Sequence, residues 1–187
     1  MPHEALLIID MQNDFAMPGG ACEVPGAHAT IPVIRRVLAR FREAGRPVFH
    51  VVREYRPDGV DVESSRLEAL QKKPMVAPGS PGARIVPGLE PVDGEYRVVK
   101  QRFSAFMFTE LDLMLRRKGV TRLIVTGTQL PFCLRATPFD GLSLGYDMVL
   151  LTDASSSRAP EIHEANIRDI RDAGMTCLTV DEYLSGL

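Results

Sequence analysis

Three side chains with complementary chemistry, Asp10, Lys100 and Cys133, each follow an apolar run of the sequence. A thiolate is a good nucleophile, and a neighbouring cation favours it over the thiol. A carboxylate within hydrogen-bond reach of the thiol can take its proton and later return it to a leaving group. Brought together, the three could carry out nucleophilic catalysis without a histidine. Taken singly, each also has an ordinary structural role: a loop cap, a solvated strand end and a buried core thiol.

The segment around Cys133 reads RLIVTGTQLPFCLRATPFDGLSLGY over residues 122–146. Its apolar, largely β-branched run, the breaker Gly127 and the helical pattern that follows predict a strand, a turn and a helix that begins at Cys133 and closes at Gly145. Free N–H groups and the helix dipole at such an N-terminus favour negative charge. They could therefore activate the thiol and also hold a developing oxyanion on a substrate carbonyl.

Strands and helices alternate along the whole chain, which predicts an α/β fold with a mostly parallel sheet covered on both faces. The predicted strands are 5–9, 47–52, 96–99, 123–125, 147–151 and 175–178. The other predicted helices are 30–43, 109–118, 160–173 and 180–184, with a weak helical signal at 64–71. Since the carboxyl ends of parallel strands meet at one edge of a sheet, where ligands bind, the three reactive side chains are expected to lie close together.

Two segments read as loops rather than as regular structure. Residues 11–26, which are rich in Gly, Pro and Asn, predict a loop over the edge beyond the first strand. Residues 54–95 contain many Pro, Gly and charged residues, and a connection of that length inside a compact domain is usually functional or mobile. We therefore interpret 54–95 as a cover over the site.

The composition narrows the class of protein. At 187 residues the chain suits a single domain, and a formal net charge of -2 gives no reason to expect nucleic acid or a membrane surface as partner. Three cysteines do not make a disulfide framework. The first residues, MPHEALLIIDMQNDF, lack a basic region and a long apolar run, so neither a signal peptide nor a membrane span is expected. The expected location is the cytoplasm.

Several motifs of the chain resemble those of the isochorismatase-like cysteine hydrolases. This family includes nicotinamidases, N-carbamoylsarcosine amidases, biuret hydrolases and ureidoacrylate amidohydrolases. The resemblance rests on ALLIIDMQNDF, VVKQRFSAF, GTQLPFCLRAT with the following GLSLGYDMVLLTDA, and EIHEANIRDI, in that order. The resemblance covers nearly the whole chain, and we expect residues 1–187 to form one domain.

The resemblance implies a three-layer α/β/α fold with a six-stranded parallel sheet of order 3-2-1-4-5-6. It also implies an Asp10–Lys100–Cys133 triad that hydrolyses a C–N bond of a small amide, ureide or carbamoyl compound through a thioester. By register it places a cis peptide between Thr128 and Gln129, with the N–H groups of Gln129 and Cys133 as an oxyanion hole. No cofactor is implied, and relatives of this kind are commonly homo-oligomers, either dimers or tetramers.

The chain also departs from parts of the family pattern. Nicotinamidases carry an Asp-x-His metal motif after the second strand, where this chain reads HVVREYRPDG, so no metal site is expected. His50 is interpreted as a core or supporting group and His163 as structural. Isochorismatases proper cleave a vinyl ether and lack the cysteine, so its presence favours C–N hydrolysis. Leu130 and Pro131 stand where members often have Thr and a polar or acidic residue, and Phe132 is bulky, which predicts a more apolar pocket entrance.

The side chains that could line a substrate pocket are mostly aromatic: Phe15, Phe132, Phe103, Phe106 and also Arg53. A guanidinium binds a carboxylate in a bidentate manner, so Arg53 could hold a substrate carboxylate, although a surface ion pair is the more ordinary role. Two alternatives to the amidohydrolase remain open. One is an isochorismatase-type hydrolase of a non-amide bond, and the other is an inactive family member that acts as an interaction or redox protein.

Overall fold

A six-stranded parallel sheet forms the centre of the computed structural model, which describes residues 3–186. The strands are β1 (Glu4–Ile9), β2 (Val48–Arg53), β3 (Tyr96–Lys100), β4 (Arg122–Thr128), β5 (Asp147–Ser156) and β6 (Thr176–Leu178). They are arranged in the order β3-β2-β1-β4-β5-β6, and every pairing is parallel. The predicted fold class and strand order are therefore confirmed.

Helices cover both faces of the sheet. They are α1 (Asn13–Ala16), α2 (Ala27–Glu43), α3 (Ser64–Lys72), α4 (Leu111–Arg117), α5 (Cys133–Ser143), α6 (Pro160–Asp172) and α7 (Val180–Ser185). Within residues 3–186, no helix is both long and apolar enough to cross a membrane.

Two hydrophobic cores lie on opposite faces of the sheet. Alternate residues of β1 belong to different cores: Leu6 and Ile8 pack with α2 on one face, while Leu7 and Ile9 pack with α4 and α5 on the other. A strand buried on both faces needs apolar side chains at every position, which explains the continuous apolar run in the sequence. The sheet is therefore a rigid support whose strand ends carry the polar residues.

Several elements differ from their predicted extents. The prediction that Gly127 ends the strand before Cys133 is wrong, because β4 continues through Gly127 to Thr128. Helix α2 begins at Ala27, three residues before the predicted start, directly after Gly26 in a left-handed conformation. Strand β5 continues to Ser156, because a register shift lets the polar residues Ser155 and Ser156 pair with the end of β4. The short helix α1 occupies part of the predicted loop 11–26, where apolar periodicity gave no signal.

Gly127 permits a close approach between β4 and β1 next to the reactive edge. It pairs with Ile9, the residue before Asp10, and its φ is 118°. A Cβ atom at this position would lie 2.1 Å from the Ile9 carbonyl oxygen. A side chain would therefore push the two central strands apart where Asp10 and the turn before Cys133 begin.

We expect Gly127→Ala to lower the free energy of unfolding by about 3 kcal/mol or more, since backbone strain and a steric clash add together. Gly119→Ala is the matched control, because Gly119 also has a positive φ, of 65°, but has no atom within 4 Å of its added Cβ. It should cost only about 1 kcal/mol, the backbone term alone. Equal losses in urea denaturation of the two variants would contradict the close-approach explanation.

A buried polar cluster connects α2, β2 and the loop before β3. Glu95 accepts hydrogen bonds from Arg42 at 2.7 Å and pairs with His50 at 2.8 Å. Burial works to raise the pKa of Glu95, but the hydrogen bonds from Arg42 and His50 outweigh it and lower the pKa to about 2. Burial lowers the pKa of His50 and outweighs the effect of Glu95. His50 is thus a buried supporting group in the structure.

The cluster predicts a loss of stability in acid. A carboxyl whose pKa is depressed on folding stabilises the protein above its unfolded pKa, and this contribution is lost as the pH falls through the folded value. The stabilising contribution of Glu95 should therefore be lost as the pH falls from about 4.5 to about 2. Measured by urea denaturation across this range, Glu95→Gln should show a flatter dependence on pH than the unmodified protein. Parallel pH profiles would contradict the assignment.

Candidate active site

The carboxyl edge of the sheet brings Asp10, Lys100 and Cys133 together. Lys100, the last residue of β3, donates a hydrogen bond from Nζ to Asp10 Oδ2 at 2.8 Å. The same Nζ lies 3.4 Å from Cys133 Sγ. Asp10 directly follows β1, and Cys133 is the first residue of α5, so each side chain is positioned by the end of a regular element.

All three side chains are withdrawn from solvent. Lys100 is 0 % exposed, Asp10 3 % and Cys133 5 %. Among the described residues, Asp10 Oδ1 is a buried oxygen without a hydrogen-bond partner. A buried carboxylate oxygen of this kind can accept a proton or a hydrogen bond from a bound molecule.

The turn between β4 and α5 is held by the neighbouring strand. The peptide bond between Thr128 and Gln129 is cis. Leu130 N donates to Ser156 O at 2.8 Å, and Ser156 Oγ donates to Thr128 Oγ1 at 2.7 Å. Leu130 is fully buried in the core on the α5 face, so the expectation that it lines the pocket entrance is wrong. The side chain of Phe132, by contrast, is partly exposed.

A small cavity opens beside these groups. Its volume is about 90 Å³, room for roughly three water molecules at their volume in the liquid. Of the residues singled out from sequence, its lining includes Asp10, Phe15, Arg53, Thr128, Gln129, Phe132 and Cys133. Sequence reasoning missed four others that line it, namely Cys22, Glu23, Val24 and Arg66. The dimensions suit a small substrate.

Phe103 and Phe106 do not line this cavity. Phe103 stacks on Phe132, with ring centroids 5.4 Å apart, and so supports the cavity wall from behind. Phe106 stacks on Tyr146 at 5.8 Å and belongs to the core on the α5 face. Both follow Lys100 closely in sequence, but the chain bends after β3 and turns Phe106 away from the site.

Part of the segment 54–95 lies over the site, as helix α3. The guanidinium of Arg66 lies over the ring of Phe103 at 4.8 Å and over that of Phe132 at 5.7 Å. The residue before this helix, Glu63, accepts a hydrogen bond from Tyr55 at 2.6 Å. Burial raises the pKa of Tyr55 well above its ordinary value, so its hydroxyl stays a donor at neutral pH.

The prediction that Arg53 forms an ion pair at the surface is wrong. The side chain is 1 % exposed and ends β2, between the strand that carries Lys100 and the strand that leads to Asp10. Its Nη2 lies 3.4 Å from Cys133 Sγ, its Nε 4.0 Å from Asp10 Oδ2 and its Nη1 2.9 Å from Glu63. Burial works to lower the pKa of Arg53, but the negative groups around it, Cys133 and Asp10 foremost, raise that pKa well above its ordinary value.

No metal-binding cluster is apparent in the part of the chain from residue 3 to residue 186: no three His, Cys, Asp or Glu side chains are grouped to hold an ion. The chain after β2 reads Glu54, Tyr55 and Arg56, which is not an Asp-x-His motif. Glu54 pairs with Arg97 instead. His163 lies within α6, where its Nε2 is 3.2 Å from Thr152 O, so it has a structural contact.

Comparisons with known proteins agree on one family. The isochorismatase domain matches residues 4–182. An isochorismatase family protein of Desulfovibrio vulgaris, known by crystal structure, superposes with a TM-score of 0.95 at 49 % identity, covering 99 % of this chain and 100 % of that one. A probable inactive nicotinamidase of Arabidopsis thaliana is 41 % identical over 96 % of this chain and 93 % of its own length. The ureidoacrylate amidohydrolase RutB of Yersinia enterocolitica is 32 % identical over 84 % of this chain and 76 % of its own.

The buried pair of Lys100 and Asp10 should be strongly coupled in stability. Removing one partner leaves the other charge buried and less well compensated, so Lys100→Met should lower the free energy of unfolding by about 3 kcal/mol. Combined with Asp10→Asn in a double-mutant cycle, the coupling energy should be on the order of 1–3 kcal/mol. The exposed pair of Lys72 and Glu68 on α3 is the control, and its coupling should be only a small fraction of that value. Equal coupling in the two cycles would contradict the buried-pair assignment.

Proposed function

Because the chain belongs to the isochorismatase family, we propose that it is a cysteine hydrolase that cleaves a C–N bond of a small amide, ureide or carbamoyl compound. Amide hydrolysis is the general activity named in relatives such as the ureidoacrylate amidohydrolase. The presence of Cys133 favours acyl transfer over cleavage of a non-amide bond, because a thiolate can form a thioester with a carbonyl carbon.

One observation carries this proposal. Lys100 Nζ contacts Asp10 at 2.8 Å and Cys133 Sγ at 3.4 Å, and both of these partners line the same small cavity. The arrangement supplies a nucleophile, a group that exchanges its proton and a cation that favours the thiolate. A retired site would have no reason to keep three buried polar side chains together, because each one costs free energy to desolvate.

The acylation step begins with transfer of the thiol proton from Cys133 to Asp10. The sulfur then donates an electron pair to the carbonyl carbon, and the C=O π electrons move to oxygen to give a tetrahedral oxyanion. As the oxyanion collapses, the C–N bond breaks and Asp10 gives its proton to the departing nitrogen. An amine or ammonia leaves, and Cys133 carries the acyl group as a thioester.

In deacylation, water is the nucleophile and Asp10 acts as its base. Asp10 takes a proton from a water molecule, whose oxygen attacks the thioester carbonyl. Collapse of the second tetrahedral oxyanion breaks the C–S bond, Asp10 returns the proton that it took from water to the thiolate, and the acid leaves. We assign both oxyanions to the N–H groups of Gln129 and Cys133, where the positive end of the α5 dipole adds to their effect.

The surroundings of the site restrict the substrate. A cavity of about 90 Å³ admits only a small molecule, and Phe15 and Phe132 give it two apolar walls. No step requires a metal ion or a cofactor. The partner is therefore a small molecule rather than nucleic acid or a membrane, and we place the enzyme in the cytoplasm as a homo-oligomer, a dimer or a tetramer.

The test is a screen of small amides, ureides and carbamoyl compounds for release of ammonia or amine, with nicotinamide included. For a compound that is turned over, Cys133→Ala and Asp10→Asn should each lower kcat/KM by about 10³-fold or more, because the residues act as a unit. Cys177→Ala is the matched control, since this cysteine lies on β6 and contacts Ile167 O. Activity should also survive prolonged treatment with EDTA.

Two results would overturn the proposal. Turnover by Cys133→Ala at the rate of the unmodified enzyme would remove the thioester mechanism. Turnover that survives complete alkylation of Cys133 but acts on a non-amide bond would favour the other type of hydrolase. Folding of every variant is checked by circular dichroism, so that loss of activity is not mistaken for loss of structure.

A further inference from the structure

Arg53 lies at the reactive edge, but the proposed mechanism gives it no role. We propose that Arg53 is a further catalytic residue, which shares the Cys133 thiolate with Lys100, and that Glu63 and Tyr55 are positioning residues that hold it there. This inference rests on the proposed function, because it assigns a role in the same acyl transfer.

The contacts of Arg53 join both partners of the proton transfer. Its Nη2 lies 3.4 Å from Cys133 Sγ, and its Nε lies 4.0 Å from Asp10 Oδ2. When the proton moves from Cys133 to Asp10, the negative charge moves from the carboxylate to the sulfur. The guanidinium is next to the negative charge before and after this step, so one fixed cation serves both states without rearrangement.

A count of charges supports the same role. With the thiol protonated, the cations Lys100 and Arg53 are balanced by the carboxylates of Asp10 and Glu63. With the proton on Asp10, the two cations are balanced by Glu63 and the thiolate. The cluster is neutral in both states, whereas without Arg53 it would carry an excess negative charge. Because Arg53 is 1 % exposed, water screens these interactions weakly.

The guanidinium is fixed from several directions. Nη1 donates to Glu63 Oε1 at 2.9 Å and to the Tyr55 hydroxyl, which in turn donates to Glu63 Oε2 at 2.6 Å. Nη2 also donates to Arg102 O at 2.9 Å. The rings of Tyr55 and Phe103 lie 5.3 and 5.2 Å from its centre. These contacts engage both Nη1 and Nη2, so in the role proposed here Arg53 acts on Cys133 and Asp10 rather than on a substrate carboxylate.

The test measures how fast iodoacetamide alkylates Cys133 as a function of pH, by mass spectrometry of the unmodified protein, Arg53→Gln and Arg53→Lys. In Arg53→Gln the pH of half-maximal rate should rise by about one unit or more, since an adjacent opposite charge is lost. Arg53→Lys, which keeps the charge, should move it less. Arg135→Gln is the matched control: Arg135 lies on α5 two residues after Cys133, but its guanidinium pairs with Asp169 at the surface. It should leave the midpoint unchanged.

A second measurement covers the case in which Arg53→Gln does not fold. In the unmodified protein, the NMR signal of the Arg53 Nε–H group should shift with pH at the midpoint of alkylation, and this step should vanish in Cys133→Ala. An unchanged midpoint in folded Arg53→Gln, equal shifts in Arg53→Gln and Arg53→Lys, or an NMR step that persists in Cys133→Ala would each overturn the proposal. Alkylation needs no substrate, so failure to find a hydrolysed amide would count against the proposed function alone.

Discussion

The buried ion pair between Lys100 and Asp10 is the interaction on which the reactive edge depends. Both charges are almost completely buried, and each would be costly without the other. Their strands are not neighbours, because β2 lies between β3 and β1. The backbone pairing of β3, β2 and β1 brings the two side chains to the same edge, and the ion pair stabilises this register across three strands. The sulfur of Cys133 lies 3.4 Å from the same ammonium group.

The rest of the fold separates the task of support from that of chemistry. The bodies of the central strands are apolar on both faces and pack in two cores, which leaves them little freedom to shift. Apart from His50 in β2 and Thr126 in β4, the charged and polar side chains of the central strands lie at or near the strand ends, and several of them pair with charged neighbours there. Helix α3 covers this edge. Glu63, the residue before it, pairs with Arg53, and its Arg66 packs on the rings of Phe103 and Phe132, so groups of the site itself hold the helix in place.

Much of this arrangement could be predicted from the sequence, and the failures have a common cause. Apolar runs and helical periodicity located the strands and helices. The rule that ligands bind at the carboxyl ends of parallel strands predicted that Asp10, Lys100 and Cys133 lie close together. The rule was not applied to Arg53, although it also ends a strand. Arginine is usually exposed, and the predicted strand order, which already put β2 between the strands that lead to Lys100 and Asp10, was not used to place this side chain. The predictions that Leu130 and Phe106 lie at the pocket were wrong for a related reason: sequence proximity to a site does not reveal which way a chain bends.

A second cation is useful at this edge because Lys100 is shared between Asp10 and Cys133. Lys100 Nζ is only 2.8 Å from Asp10, and a carboxylate is the stronger hydrogen-bond acceptor, so the sulfur at 3.4 Å receives the weaker share of that charge. Arg53 reaches the sulfur at the same distance, 3.4 Å from Nη2, but its Nε lies 4.0 Å from Asp10, so the carboxylate takes less of its charge. The two cations thus divide the nucleophile and the proton carrier between them. In the proposed mechanism, this division lets the proton return to the leaving nitrogen without removing the charge that keeps the sulfur reactive.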